Sequence, residues 1–156
     1  KNTLYPLRNL LVKLKLTEPP KLRYFILKSN YSDYDKKAFE VSLKNIELVK
    51  NITYEKNIDF FLVMIPMKYQ VYDSLWQDYK KRNIIPEKEY DFSKPSEVMG
   101  EFSKQHNIKF LDLLPRLKEK IQNKELNQSI YYDNDPHFNV YGNEVVAELV
   151  KNQLFD

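Results

Sequence analysis

Between Asn57 and Pro66 the chain is almost wholly apolar: Ile58-Asp59-Phe60-Phe61-Leu62-Val63-Met64-Ile65. Such a run is strand length, and it falls well short of the ~20 residues that a membrane-crossing helix needs. A strand that is apolar on both sides cannot leave one side in water. It belongs in the middle of a parallel sheet covered by helices. Pro66 has no N–H for a ladder and stops the run.

The flanking segments supply the helices that such a sheet requires. On the amino-terminal side Phe39, Leu43, Ile46, Val49 and Ile52 recur at steps of four and three, which predicts an amphipathic helix of about five turns closed by Asn57. Ser32 and Asp35 are spaced as a capping box ahead of it, with Asp in place of the usual Glu. Beyond Pro66, the stripe Tyr69, Tyr72, Leu75, Trp76 and Tyr79 predicts one further helix, whose aromatics either pack on the core or line an apolar substrate groove. Pro95 suits a first helical turn, and a short helix is expected from there to Gln105, ended by Asn107. Ile108 to Pro115 reads as a second strand. Leu114, Leu117 and Ile121 mark a helix reaching about Asn123. A last helix is expected from Asn139 to Leu154, with Val145, Val146, Leu149 and Val150 facing inward. Before all of these, Leu4, Leu7, Leu10, Leu11 and Leu14 predict a helix over Leu4 to Lys15, and Leu22 to Leu27 reads as a short strand.

Strands separated by helices imply α/β architecture with a parallel sheet. A chain of 156 residues is expected to form a single domain. Two or three strands make a small sheet with one open edge, and open edges are normally paired or covered. The expected complement is further chain upstream of Lys1.

Composition removes several functions. Cysteine is absent, which excludes disulfides, thiolate catalysis and Cys-ligated zinc. Two histidines among scattered acids do not form a metal centre, so neither metal nor cofactor is expected. The net charge is only +3, and no basic stripe alternates with stacking aromatics, so no nucleic-acid partner is expected. Lys80-Lys81-Arg82, the longest basic run, reads as the solvated end of a helix. No segment is apolar for long enough to span a membrane.

Chemistry concentrates in Tyr131-Tyr132-Asp133-Asn134-Asp135-Pro136-His137-Phe138-Asn139. A histidine works as a general base near neutral pH, and it needs a partner on one ring nitrogen to fix its tautomer. Asp135, two residues away in a turn stiffened by Pro136, can reach that nitrogen. Asp133 is the alternative acid. Asn139 can cap the helix that follows by accepting an N–H of its first turn. Gly142 inside that helix costs about 1 kcal/mol against alanine, which calls for a compensating reason such as close backbone packing. His106 suits the end of a short helix, where a cation meets the dipole. Asp112, at the end of a strand, is a lesser candidate, and Asp33 and Asp35 read as loop and cap residues.

The stretch from Asp135-Pro136-His137-Phe138-Asn139 through Gly142 to Ala147 resembles the last sequence block of the SGNH (GDSL-type) hydrolases. Phe61 to Pro66 and Phe110 to Pro115 resemble the two strands that precede it in that family. The resemblance covers about Ile58 to Leu154. It implies a flavodoxin-like parallel sheet with helices on both faces, of which this chain holds the C-terminal portion. It also implies a serine esterase or acyltransferase acting on a small-molecule or carbohydrate ester, with His137 as general base and Asp135 as its orienting acid. Many members place one more residue between acid and histidine. The shorter spacing here resembles the branch that includes polysaccharide O-acetyltransferases. The family's Gly-Asp-Ser block, oxyanion glycine and Gly-x-Asn-Asp block are missing, so the nucleophile is expected upstream of Lys1. A non-catalytic binding module that keeps the fold is the alternative. The resemblance alone suggests an extracytoplasmic location, and the absence of cysteine fits either compartment.

Overall fold

A computed structural model describes residues 10–14, 16–17, 25–83, 89–133 and 135–154. Residues 10–13 are helical, within the predicted first helix; its earlier part lies outside the described residues. The first named elements are a 3-10 turn, Phe25–Leu27, and the long helix α1, Asp33–Glu55. Strand β1, Phe61–Met64, leads to a short helix α2, Lys68–Val71, and to α3, Asp73–Asn83. Helix α4, Lys94–Gln105, precedes β2, Lys109–Asp112, which runs directly into α5, Leu113–Gln122. The closing helix α6 spans Val140–Leu154. The fold is therefore α/β.

The apolar run does form a strand, and its partner is the predicted one. β1 and β2 pair in parallel, with Phe61 opposite Lys109 and Met64 opposite Asp112. Every β1 residue is only half-buried, because the sheet described has two strands and each keeps an unpaired edge. The run is also shorter as a strand than as a sequence pattern: Ile58 and Ile65 are exposed at its two ends.

Helix α1 begins earlier than its apolar stripe. Ser32 caps it: the Ser32 hydroxyl accepts from the Asp35 N–H at 3.2 Å, and the Asp35 carboxylate accepts from the Ser32 N–H at 3.0 Å. Lys28 pairs with the same carboxylate at 2.9 Å. The bonds from Lys28 and Ser32 hold the Asp35 carboxyl down at about 2. An alanine at a Ser N-cap leaves a first-turn N–H without its acceptor, so Ser32→Ala is expected to cost about 1 kcal/mol in a urea titration followed by far-UV circular dichroism. The other end closes at Asn57, which adopts a left-handed φ of 54°.

The stripe itself needs correction. Phe39, Leu43 and Ile46 are half-buried, whereas Val49 and Ile52 are exposed. Each step of three residues falls about 60° behind a full set of turns. Three such steps, from Leu43 to Ile52, carry the stripe off the packed face, and Lys50 and Thr53 occupy that face instead.

Four further expectations differ from the structure. Leu22 to Leu27 does not read out as a strand: Phe25–Leu27 is a 3-10 turn, and residues 22–24 lie outside the described set. The pairing comes one residue later, where Lys28 bridges Tyr90 and the Leu27 carbonyl accepts from Asp91 N at 2.8 Å. The aromatic stripe after Pro66 forms two helices rather than one. Tyr72 breaks it with extended backbone, φ −107° and ψ 94°, and its hydroxyl accepts the Ile130 N–H at 3.2 Å. Beyond it Trp76 packs on Phe92, Tyr79 and Tyr90, which places the stripe in a half-buried ring cluster rather than in an open groove. Lys80 is not solvated: it is buried, with its ammonium 5.8 Å from the Trp76 ring centre. Finally, Pro115 lies inside α5 and not at the end of a strand. Asp112 starts that helix, its carboxylate accepting from Leu114 N at 2.9 Å.

One apolar core joins these parts. Leu113, Leu117 and Ile130 are fully buried and pack with Val71, Leu111, Tyr131, Val145 and Leu149. Full burial of an aliphatic side chain of this size contributes about 1.5–3 kcal/mol. Because Ile130 and Tyr131 belong to this cluster, the loop that follows them is rooted in the core.

Candidate active site

The loop from Tyr132 to His137 leaves the core at Tyr131 and returns at Phe138. Those two residues form an isolated antiparallel bridge, and Tyr132 N donates to the His137 carbonyl at 3.2 Å. Their rings pack with centroids 4.5 Å apart. The bridge pinches the base of the loop and fixes the separation of its two legs.

Three polar residues anchor this base. Tyr131 is buried, and its hydroxyl donates to the Pro66 carbonyl at 2.8 Å. Burial pushes the phenol far above its ordinary range, so it remains a donor at any physiological pH. Lys68, two residues beyond Pro66, donates its ammonium to the carbonyls of Tyr132 at 2.6 Å and Asp133 at 2.9 Å. On the far leg, Asn139 works at both ends of its amide. Its Nδ2 donates to the Ser129 carbonyl at 2.7 Å, and its Oδ1 accepts from Gly142 N at 2.8 Å, which caps the first turn of α6 as the sequence predicts.

Gly142 explains itself here. A Cβ at this position would lie 2.0 Å from the Ile130 carbonyl oxygen. The first turn of α6 rests directly on the Ile130 backbone, and no side chain fits between them.

The loop brings Asp135 and His137 together. The Asp135 carboxylate accepts the His137 N–H at 2.8 Å and also contacts His137 Nδ1. One oxygen, Oδ1, meets both, so backbone and ring are fixed by a single acceptor. The bond from the His137 backbone, reinforced by the one from its ring, holds the Asp135 carboxyl below its usual range. The acid is therefore ionised at neutral pH. An ionised acceptor on Nδ1 places the proton of a neutral imidazole on that nitrogen and leaves the Nε2 lone pair outward. Among the described residues the His137 ring bonds only Asp135, and its side chain is 81% exposed. Tyr132, Asp133, Asp135 and His137 line an open depression of about 490 Å³.

Of the acids flagged in the sequence, Asp135 reaches the ring. Asp133 lines the same depression, and its carbonyl is held by Lys68. Asp112 is occupied as a helix cap. His106 closes α4, packs tilted against Phe102 with ring centroids 4.3 Å apart and pairs with Glu47 of α1 at 3.0 Å, which gives it a structural role. No group of three or more possible metal ligands occurs among the described residues. Lys68 and Tyr131 are the site-building residues that the pattern reading missed. Their signal was positional: Lys68 stands just past the carboxyl end of a strand, where open α/β sheets place their sites.

Comparison with protein-family models, curated proteins and solved structures finds no match for this chain. No helix among the described residues is long and apolar enough to cross a membrane.

Proposed function

We propose that this chain supplies the acid–base half of a serine-type acyl-transfer centre, that of an esterase or O-acyltransferase of the SGNH type. The pairing of ionised Asp135 with His137 Nδ1, at the carboxyl end of β1, carries this assignment. The two parallel strands would be the final pair of a flavodoxin-like sheet with helices on both faces. The nucleophilic serine and the oxyanion donors would come from polypeptide outside Lys1–Asp156.

In this reaction His137 Nε2 takes the proton as the serine oxygen bonds to the ester carbonyl carbon. The resulting imidazolium, held by Asp135, returns the proton to the leaving alkoxide as the ester C–O bond breaks. A water molecule or a sugar hydroxyl then repeats the sequence on the acyl-enzyme. Asp135 stays ionised throughout and serves to orient the ring and balance its charge. The exposed Nε2 and the open depression leave room for both the serine and an ester group.

A fluorophosphonate probe, which labels activated serines, tests this directly. The 156-residue chain alone is expected to remain unlabelled and to show no turnover of p-nitrophenyl acetate. The natural polypeptide containing it is expected to be labelled at a serine outside Lys1–Asp156, and His137→Ala should abolish that labelling. Labelling within the chain itself would place the nucleophile inside Lys1–Asp156, and labelling of the natural polypeptide that survives His137→Ala would remove His137 as the base; either result overturns this assignment, and a natural polypeptide that takes no label would leave a binding module as the better account.

A further inference from the structure

The loop that carries the dyad is tied to the rest of the molecule by few polar contacts, and one side chain makes two of them. Lys68 reaches across 64 and 65 positions of sequence to the carbonyls of Tyr132 and Asp133, at 2.6 and 2.9 Å. Both acceptors lie on the leg that leads into Asp135. The opposite leg is held at its foot by the Tyr131–Phe138 bridge and by Asn139. Between these two anchorages, and among the described residues, the Asp135 and His137 side chains bond only within the pair, at 51% and 81% side-chain exposure. Exposed side chains are free to change rotamer in water, so the geometry of this pair depends on how firmly its backbone is held.

The contact is built for holding. Lys68 opens α2, and its backbone follows Met67, whose N–H is fixed by the Gln70 side chain at 2.9 Å. Gln70 is itself buried and donates to the Phe92 carbonyl at 3.1 Å. The lysine therefore extends from a rigid base. An ammonium has three donors and no acceptor, and here two of them converge on adjacent carbonyls. Bonds from a charged donor are about twice as strong as neutral ones.

We propose that Lys68 is a positioning residue of this centre: its ammonium clamps the Tyr132–Asp133 leg to the carboxyl end of β1 and thereby holds Asp135 on His137 Nδ1. The clamp deepens the acyl-transfer assignment and rests on it for its catalytic meaning. Its structural part can be tested without any substrate.

Long-range ¹H–¹⁵N correlation spectra of the 156-residue chain, recorded above the imidazole titration, report the tautomer of His137. The wild-type ring is expected to be predominantly the Nδ1–H form. Lys68→Met should relax it to a mixture while the melting temperature stays within about 3 °C of wild type, since an exposed contact contributes little to global stability. Lys68→Arg, which keeps a charged multiple donor, should restore the wild-type spectrum, and Lys68→Gln should not. A His137 tautomer unchanged in both Lys68→Met and Lys68→Gln overturns the clamp, as does a Lys68→Gln spectrum identical to that of Lys68→Arg. If Lys68→Met lowers the melting temperature broadly, the comparison of Arg with Gln at this position still decides.

In the natural polypeptide, Lys68→Met should lower kcat roughly tenfold to hundredfold with little change in KM, as misplacement of a catalytic group does. The two arms separate the two ideas. A tautomer that responds to Lys68 in a protein whose acyl transfer ignores His137 sustains the clamp as structure and removes the acyl-transfer assignment. A His137-dependent enzyme whose tautomer and kcat ignore Lys68 removes the clamp and keeps the assignment.

Discussion

Asp135→Asn, introduced into the natural polypeptide, is expected to lower kcat for ester turnover on the order of 10⁴-fold, with KM nearly unchanged. The effect is large because the substitution preserves shape and reverses chemistry. The Asp135 carboxylate accepts at the imidazole Nδ1, whereas an amide in the same place can turn its NH₂ towards that nitrogen and donate. A donor on Nδ1 requires a lone pair there, which moves the ring proton to Nε2. The base then presents a proton where it must take one. Asp133→Asn is the matched control. Asp133 lines the same depression, but its structural contribution here is its backbone carbonyl, which the mutation leaves intact. It should change kcat by no more than a few-fold. Equal damage from both substitutions would show that the loop responds to lost negative charge in general and would remove Asp135 as the orienting acid.

Gly142→Ala carries the largest expected effect on stability. Two terms oppose each other. Alanine gains about 1 kcal/mol over glycine inside a helix. The added Cβ would lie 2.0 Å from the Ile130 carbonyl oxygen and 2.9 Å from its carbonyl carbon. Ordinary overpacking costs about 1–3 kcal/mol, because side chains can shift. Here the obstacle is backbone at a fully buried residue, so α6 must move away from Ile130 and lose its packing on Leu113 and Leu117. The net loss is expected to reach about 3 kcal/mol, a fall in melting temperature of roughly 6–12 °C for a chain of this length. Gly100→Ala separates the two terms. A Cβ there meets only Phe110 at 3.8 Å, an ordinary contact, so the helix gain should stand alone and raise stability. Differential scanning calorimetry of the two variants should give shifts of opposite sign. A Gly142→Ala protein as stable as wild type would mean that α6 does not rest on Ile130.

Much of this architecture can be read from residue order because its signals are local. The Ser32–Asp35 box, the Asn57 stop, Pro95 at a helix start and the Asn139 cap each depend on neighbours within a few positions, and each is where the pattern placed it. The pairing of Asp135 with His137 is legible for the same reason, being made within a single turn. What local pattern cannot convey is any contact set by the whole chain. The break at Tyr72 is enforced by Ile130, 58 positions away. The drift of Val49 and Ile52 off the packed side of α1 shows in the spacing, but its consequence depends on what lies against the helix. Lys80 reads as a solvated cation and is instead drawn over Trp76 by a ring cluster assembled from two segments. Lys68 belongs to the same class: nothing beside it in the sequence marks its carbonyl partners.

The bond from Tyr131 to Pro66 and the two from Lys68 have a kinetic consequence. All three close loops of more than 60 residues, and β1 meets β2 across 48, from Phe61 to Lys109. Contacts of such long range form late and slowly, since the chain entropy of closure is lost before the contact rewards it. Asp135 and His137 can meet within their own turn at any stage, but their placement at the strand end waits for the strands to pair. Refolding should therefore bring the acid–base pair into being before it brings the pair into place.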